Sequence, residues 1–244
     1  MDRMIYLGMA GAKTNMQRQD VLAHNLANAS TTGFRAELQA VRAVPVRGDG
    51  ASTRVYALET TVGYDDASGP INFTGRSLDV AMQGKAWMGV QGLDGTEAYT
   101  RFGSLAVNPE GTLVTQNGLT VLGDGGPITL PANTEPSIAP DGTVSAKQAN
   151  GKSTTVGKLK MVTPQEKLVR GEDGLFRSGD GADLPADPTA RLQDRSLEGS
   201  NVNPIENMVA MISAARQFET QMKLLQTAEA DEKAATQLLS SSGG

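Results

Sequence analysis

The chain of 244 residues carries 22 Lys and Arg against 27 Asp and Glu, a formal net charge of −5, with one histidine and no cysteine. Mild acidity without a basic stripe argues against a nucleic-acid partner, and 4% aromatic residues with a single Trp leave little for base-stacking or sugar-binding platforms. The missing thiols exclude disulfides and thiolate metal sites, and the lone His24 excludes a histidine-rich metal centre and any catalytic triad not built around it.

The N-terminus, Met-Asp-Arg-Met-Ile-Tyr-Leu-Gly-Met-Ala, has neither a basic leader nor a long apolar run, so no cleaved secretory signal is expected. No stretch approaches the roughly 20 apolar residues of a membrane span. From Asp2 to Asn28 there is no Pro, and Gly occurs only at Gly8 and Gly11. Ile5, Met9, Ala12, Met16, Gln19, Ala23 and Leu26 step by alternating fours and threes, predicting a long helix with one apolar seam. It should stop in Asn-Ala-Ser-Thr-Thr-Gly, where Gly33 can adopt the left-handed conformation.

Residues 35–76 read as an extended, partly β connection. Beyond them, short apolar runs are punctuated by Gly, Pro, Asn and Asp. Leu78–Met82, Trp87–Gln91, Leu105–Val107, Leu113–Thr115, Thr120–Leu122 and Ile128–Leu130 predict strands, followed by Thr155–Val162, Lys167–Val169 and Leu175–Arg177. Asp94-Gly95, Glu110-Gly111, Asn117-Gly118 and Asp141-Gly142 predict their turns. A second long helix opens with Asn203 as N-cap, Pro204 at the first helical position and Glu206 where a capping box wants it. Met208, Met211, Ala215, Phe218, Met222 and Leu225 then mark its apolar stripe. The expected fold class is therefore α+β: long N- and C-terminal helices pairing as a coiled coil, around a central, mainly antiparallel β domain. Its expected segments are 1–34 (helix and turn), 35–76 (linker), 77–196 (β domain) and 197–244 (C-terminal helix).

Candidate chemical sites are weak. Gly123-Asp124-Gly125-Gly126 lacks the Lys-Ser/Thr of a phosphate loop and runs into Pro127, so a plain turn is the better reading. The acid pairs Asp65-Asp66 and Glu172-Asp173 could imitate glycosidase carboxylates, but lie among loop-forming residues and read as solvated charge. His24 reads as a helical surface or packing residue, and Trp87 as core. No catalytic, metal or cofactor site is expected.

Asn25-Leu26-Ala27-Asn28-Ala29-Ser30-Thr31-Thr32-Gly33-Phe34 is richer: amides and hydroxyls suited to orphan helix carbonyls, then a turn glycine and an aromatic anchor. This block resembles the N-terminal signature of the flagellar rod and hook protein family. Leu197-Glu198-Gly199-Ser200-Asn201-Val202-Asn203-Pro204, with Met208-Val209 and Arg216-Gln217-Phe218-Glu219, is similar to the family's C-terminal signature. Leu78-Asp79-Val80-Ala81, Gly84 and Tyr99-Thr100-Arg101-Phe102-Gly103 resemble its shared β region, while Ala215 departs from its pattern. The opening Met-Asp-Arg-Met-Ile-Tyr, Phe218-Glu219 and the length favour the proximal-rod branch over the similar distal-rod branch.

The resemblance implies a structural subunit of the basal-body rod that assembles through its terminal helices into a hollow, rigid, torque-transmitting tube passing exported subunits. Its implied partners are other proximal and distal rod proteins, further copies of itself and the flagellar type III export apparatus, in the periplasm, with no cleaved signal. The expected assembly interface is Ile5, Met9, Met16, Leu26, Met208, Met211, Phe218, Met222 and Leu225. The motif residues are Asn25, Leu26, Asn28, Ser30, Thr31, Gly33, Phe34, Asn201 and Asn203. A peptidoglycan-cleaving enzyme is the rival of a different class, but no convincing carboxylate pair supports it. A surface adhesin would leave the helical stripes unexplained.

Overall fold

The computed structural model describes residues 2–45, 55–149 and 151–241, with side chains from Gly8 onward except 55–62, 232, 235, 236 and 238–241. The chain forms two compact units. One gathers Met1–Ala27, Glu37–Gly63 and Asn203–Gly244, and the other Asn28–Ala36 and Tyr64–Val202.

In the first unit, α1 (Asp2–Ala27) and α2 (Pro204–Ser241) accompany a two-stranded ribbon of Glu37–Pro45 and Val55–Tyr64. The start of α2 follows its local chemistry. Asn203 Oδ1 accepts the amides of Ile205 (3.1 Å) and Glu206 (3.4 Å), leaving Pro204 in the first turn where a missing N–H costs nothing. In the last turn of α1, the amide group of Asn25 grips both main-chain groups of Glu37: Nδ2 donates to its carbonyl (3.0 Å) and Oδ1 accepts its N–H (2.8 Å). His24 Nδ1 lies 3.1 Å from the Glu37 carboxylate.

The expected coiled coil is overturned. The described residues contain two single helices, one at each end, and eighteen short strands. On α1 the anticipated seam faces solvent at Met9 (57% exposed) and Met16 (54%). The surface of α1 nearest α2 is instead small: a Cβ added at Gly8 would stand 2.5 Å from Leu225 Cδ2, and one at Gly11 2.5 Å from Gln221 Nε2. Counting apolar residues by heptad selects bulk, whereas close helix approach selects residues without it. A knobs-into-holes seam needs large apolar residues sustained on the touching face.

The second unit is built from antiparallel strands. A five-stranded sheet runs in the order Met161–Val162, Trp87–Gln91, Glu97–Thr100, Phe176–Arg177, Val169–Arg170. Beside it are a three-stranded sheet of Thr134–Ile138, Thr143–Gln148 and Ser153–Lys158 and several two-stranded ribbons. Val80, Met88, Val90, Leu105, Leu113, Leu159 and Leu192 are among its buried aliphatic core. Trp87, Tyr64 and Phe176 form an aromatic cluster, Tyr64 meeting both other rings edge-on at 5.9 and 4.9 Å.

Among the described residues one hairpin-turn design recurs, including at Gly92–Thr96, Asn108–Thr112, Thr115–Leu119, Ala139–Thr143 and Gly171–Leu175. In each, the first residue donates to the fifth and accepts from the fourth. The fourth is always glycine, with φ between 77° and 87°. The Asp-Gly, Glu-Gly and Asn-Gly pairs are thus turns because one position needs left-handed backbone that side chains resist. The strand over Ile128–Leu130 does not form, and Glu97–Thr100 and Thr143–Gln148 are strands that the apolar runs did not announce.

Candidate functional site

Of the signature residues, Asn28 to Phe34 and Asn201 converge within the second unit, where the chain's early turn meets its late loop. After α1 ends, Thr31 N–H closes on Asn28 O (3.1 Å) and Phe34 N–H on Thr31 O (3.3 Å). Thr31 Oγ1 also donates to Asn28 Oδ1 (3.1 Å), and Ser30 is exposed. Gly33 takes φ +68° and donates its N–H to Glu198 O at 2.7 Å. Phe34 is buried, with the Arg170 guanidinium 4.6 Å over its ring.

Asn201 staples this turn to the late loop. Its N–H donates to Phe34 O (3.3 Å), its Oδ1 accepts Ala36 N–H (2.7 Å), and its Nδ2 donates to Asp65 O (3.1 Å) and Ala67 O (2.9 Å). One side-chain amide therefore satisfies three main-chain groups of two separate segments, which water would otherwise have to reach.

Beneath the staple lies an arrangement that reading along the chain missed. The Glu198 carboxylate, 1% exposed, stands 2.9 Å from Arg35 Nη2 and 3.1 Å from Arg101 Nη1, and accepts Gly69 N–H at 3.0 Å. Arg101 also donates to Met82 O (2.9 Å) and Gly84 O, with its guanidinium carbon 5.3 Å from the Trp87 ring centroid. Arg35 donates to Ala67 O, yet Arg35 Nε and Arg101 Nε find no hydrogen-bond partner among the described residues, and Arg35 Nη2 meets Glu198 as an ion pair without hydrogen-bond alignment. Burial holds the Arg101 guanidinium down, to about 10; Glu198 pulls it up, and Arg35 repels it. The available signal was the presence of Arg101 and Glu198 inside two glycine-containing signature blocks.

The anticipated interface residues divide. Met9, Met16, Met208 and Met222 are exposed, whereas Leu26, Met211, Phe218 and Leu225 are half-buried, and the Ile5 side chain lies outside the described residues. Ile205, Val209 and Ile212, absent from the anticipated stripe, are exposed on the first turns of α2. The acid pairs are tied into loops: Asp65 Oδ1 accepts Ala67 N–H, and Asp173 accepts from Arg177 Nη2 at 2.8 Å, which holds its carboxyl below the usual range.

Three family models match the chain: "Flagella basal body rod protein" over residues 5–35, "Flagellar hook protein FlgE/F/G D1 domain" over 81–146, and "Flagellar basal body rod FlgEFG protein C-terminal" over 193–238. The chain is 46% identical to the flagellar basal-body rod protein FlgF of Salmonella typhimurium over 99% of its own length and 100% of the relative's. It is 45% identical to FlgF of Escherichia coli over the same shares, and 32% identical to FlgG of Bacillus subtilis over 93% of the chain and 95% of the relative.

Proposed function

The chain belongs to the flagellar basal-body rod protein family, and we infer from that premise that it is a structural subunit of the rod in the basal body, assembling there with other rod components. The observation that carries this reading is the 46% identity across the full length of both chains. The 46% and 45% identity to FlgF of Salmonella typhimurium and Escherichia coli, against 32% to FlgG of Bacillus subtilis, supports the proximal rather than the distal rod position. The finer picture is also our reading: a periplasmic tube, delivered by the flagellar type III apparatus, whose subunit carries no chemistry of its own.

The proposed contact surface uses the terminal helices. Met9, Met16, Met208 and Met222 lie exposed together with Ile205, Val209 and Ile212, an apolar load that a subunit in isolation would leave wet. Neighbouring subunits are the cover proposed for them, with Ile5, Leu26, Met211, Phe218 and Leu225 completing the surface. The hydrolytic rival gains nothing from Asp173, whose carboxylate is already engaged by Arg177.

Met208→Asp tests this surface. The side chain is half exposed, so the isolated chain should melt as wild type does, as should the control Gln217→Asp on the same helix. Only Met208→Asp should abolish purified rods and swimming. Normal rods in Met208→Asp cells would refute the surface.

A further inference from the structure

Glu198 is one anion between two buried cations, and the three come from distant parts of the chain. Arg35 directly follows the early signature turn, Arg101 belongs to the β body, and Glu198 sits on the late strand Ser196–Glu198. Their count is unequal: two guanidinium groups face one carboxylate, with all three side chains at most 2% exposed. Asp66 adds an attraction to Arg101 that ranks behind the repulsion from Arg35.

That inequality sets an order. Suppose that the late loop, with Glu198, is not in place. Docking residues 28–36 would then bury Arg35 beside Arg101 with no carboxylate between them, and two like charges in a dry site oppose each other strongly. The main-chain link from Gly33 N–H to Glu198 O would also lack its acceptor. The reverse case differs. If residues 28–36 are absent, Glu198 still pairs with Arg101, keeps Gly69 N–H, and leaves a neutral one-to-one pair.

We propose that Glu198 makes the ordering of the two signature segments hierarchical: the late loop docks on the β unit by itself, and the early turn docks only once Glu198 is present. The segment nearest the N-terminus is therefore held off the β unit until the residues near 198 have arrived. This coupling concerns the second unit alone and stands apart from the rod reading, because its test uses the isolated full-length chain.

Hydrogen exchange resolved to single amides reads it directly. Gly33 (bonded to Glu198 O) and Ala36 (to Asn201 Oδ1) report the early turn; Gly199 (to Pro70 O) reports the late loop; Gly89 (to Lys160 O) reports the sheet. Glu198→Gln removes the carboxylate between two buried cations and should speed exchange at Gly33 and Ala36 on the order of 100-fold, with Gly89 unchanged. Arg35→Met should leave Gly199 and Gly89 as protected as in wild type. The double variant Arg35→Met/Glu198→Gln decides the cause. Removing a second partner should restore protection at Gly33 and Ala36 relative to Glu198→Gln alone, because it removes the repulsion. A cluster that acts only by packing would make the double variant worse than either single one, and that result overturns the proposal. So does unchanged exchange at Gly33 and Ala36 in Glu198→Gln, equal loss at Gly89, or a double variant that stays unfolded where Glu198→Gln is unfolded.

Discussion

Gly33→Ala is the sharpest single perturbation of the signature turn. A Cβ there would stand 2.5 Å from Arg101 O and 2.6 Å from Phe102 N, main-chain atoms that cannot swing aside. Three contributions add. Left-handed backbone at φ +68° costs a non-glycine residue about 1–2 kcal/mol. Displacing the Arg101–Phe102 backbone resembles overpacking, at about 1–3 kcal/mol. Stretching the 2.7 Å bond from Gly33 N–H to Glu198 O forfeits about 0.5–1.5 kcal/mol. The total, about 2.5–6.5 kcal/mol, is a large share of the roughly 5–15 kcal/mol that holds a domain folded. Trp87, the sole tryptophan, is buried in the same unit, so guanidinium unfolding followed by its fluorescence reports that unit. Gly118→Ala is the matched control. It too has positive φ, +87°, but nothing lies within 4 Å of its added Cβ, so only the backbone cost of about 1–2 kcal/mol applies. If Gly33→Ala loses no more stability than Gly118→Ala, the packing of the turn on the Arg101 main chain is not what demands glycine.

Asn201→Ala removes three side-chain hydrogen bonds and should cost about 2–4 kcal/mol in the same assay, while Asn201→Asp, which turns two donations into carboxylate–carbonyl repulsion, should cost at least as much. An Asp variant as stable as wild type would show that the donations to Asp65 O and Ala67 O are dispensable. Acid should weaken the second unit in a defined window. Asp94, Asp141, Asp173, Asp180 and Asp187 are all held below the usual carboxylate value, chiefly by Thr96, Thr143, Arg177, Ser178 and Thr163 respectively, with Asp187 lowered to about 2. Because the folded values lie below the unfolded ones, their stabilisation is complete above about pH 5 and is lost as pH falls through about 4 towards 2. The unfolding midpoint should be flat from pH 7 to 5 and fall below 4, less steeply in Asp187→Asn; a midpoint constant down to pH 2.5 would contradict this.

What the sequence determined alone was local. Asn203 and Pro204 announce the start of α2 because a cap needs only its own side chain and the next two amides. Asp94-Gly95, Glu110-Gly111, Asn117-Gly118 and Asp141-Gly142 are legible as turns because a left-handed glycine is a property of one residue. The signature blocks were visible as blocks for the same reason. Tertiary structure decided whatever depends on groups far apart in the chain. Glu97–Thr100 is a strand because Trp87–Gln91 and Phe176–Arg177 pair with its edges, not because its own residues alternate. On α1, the face turned towards α2 carries Gly8 and Gly11, while the bulky Met9 and Met16 remain outside, since close backbone approach rewards the absence of a side chain. The Arg35–Glu198–Arg101 cluster follows the same rule. Each charge is an ordinary letter in its own segment, and only a fold that brings residues 35, 101 and 198 into one dry site makes their unequal count a physical constraint.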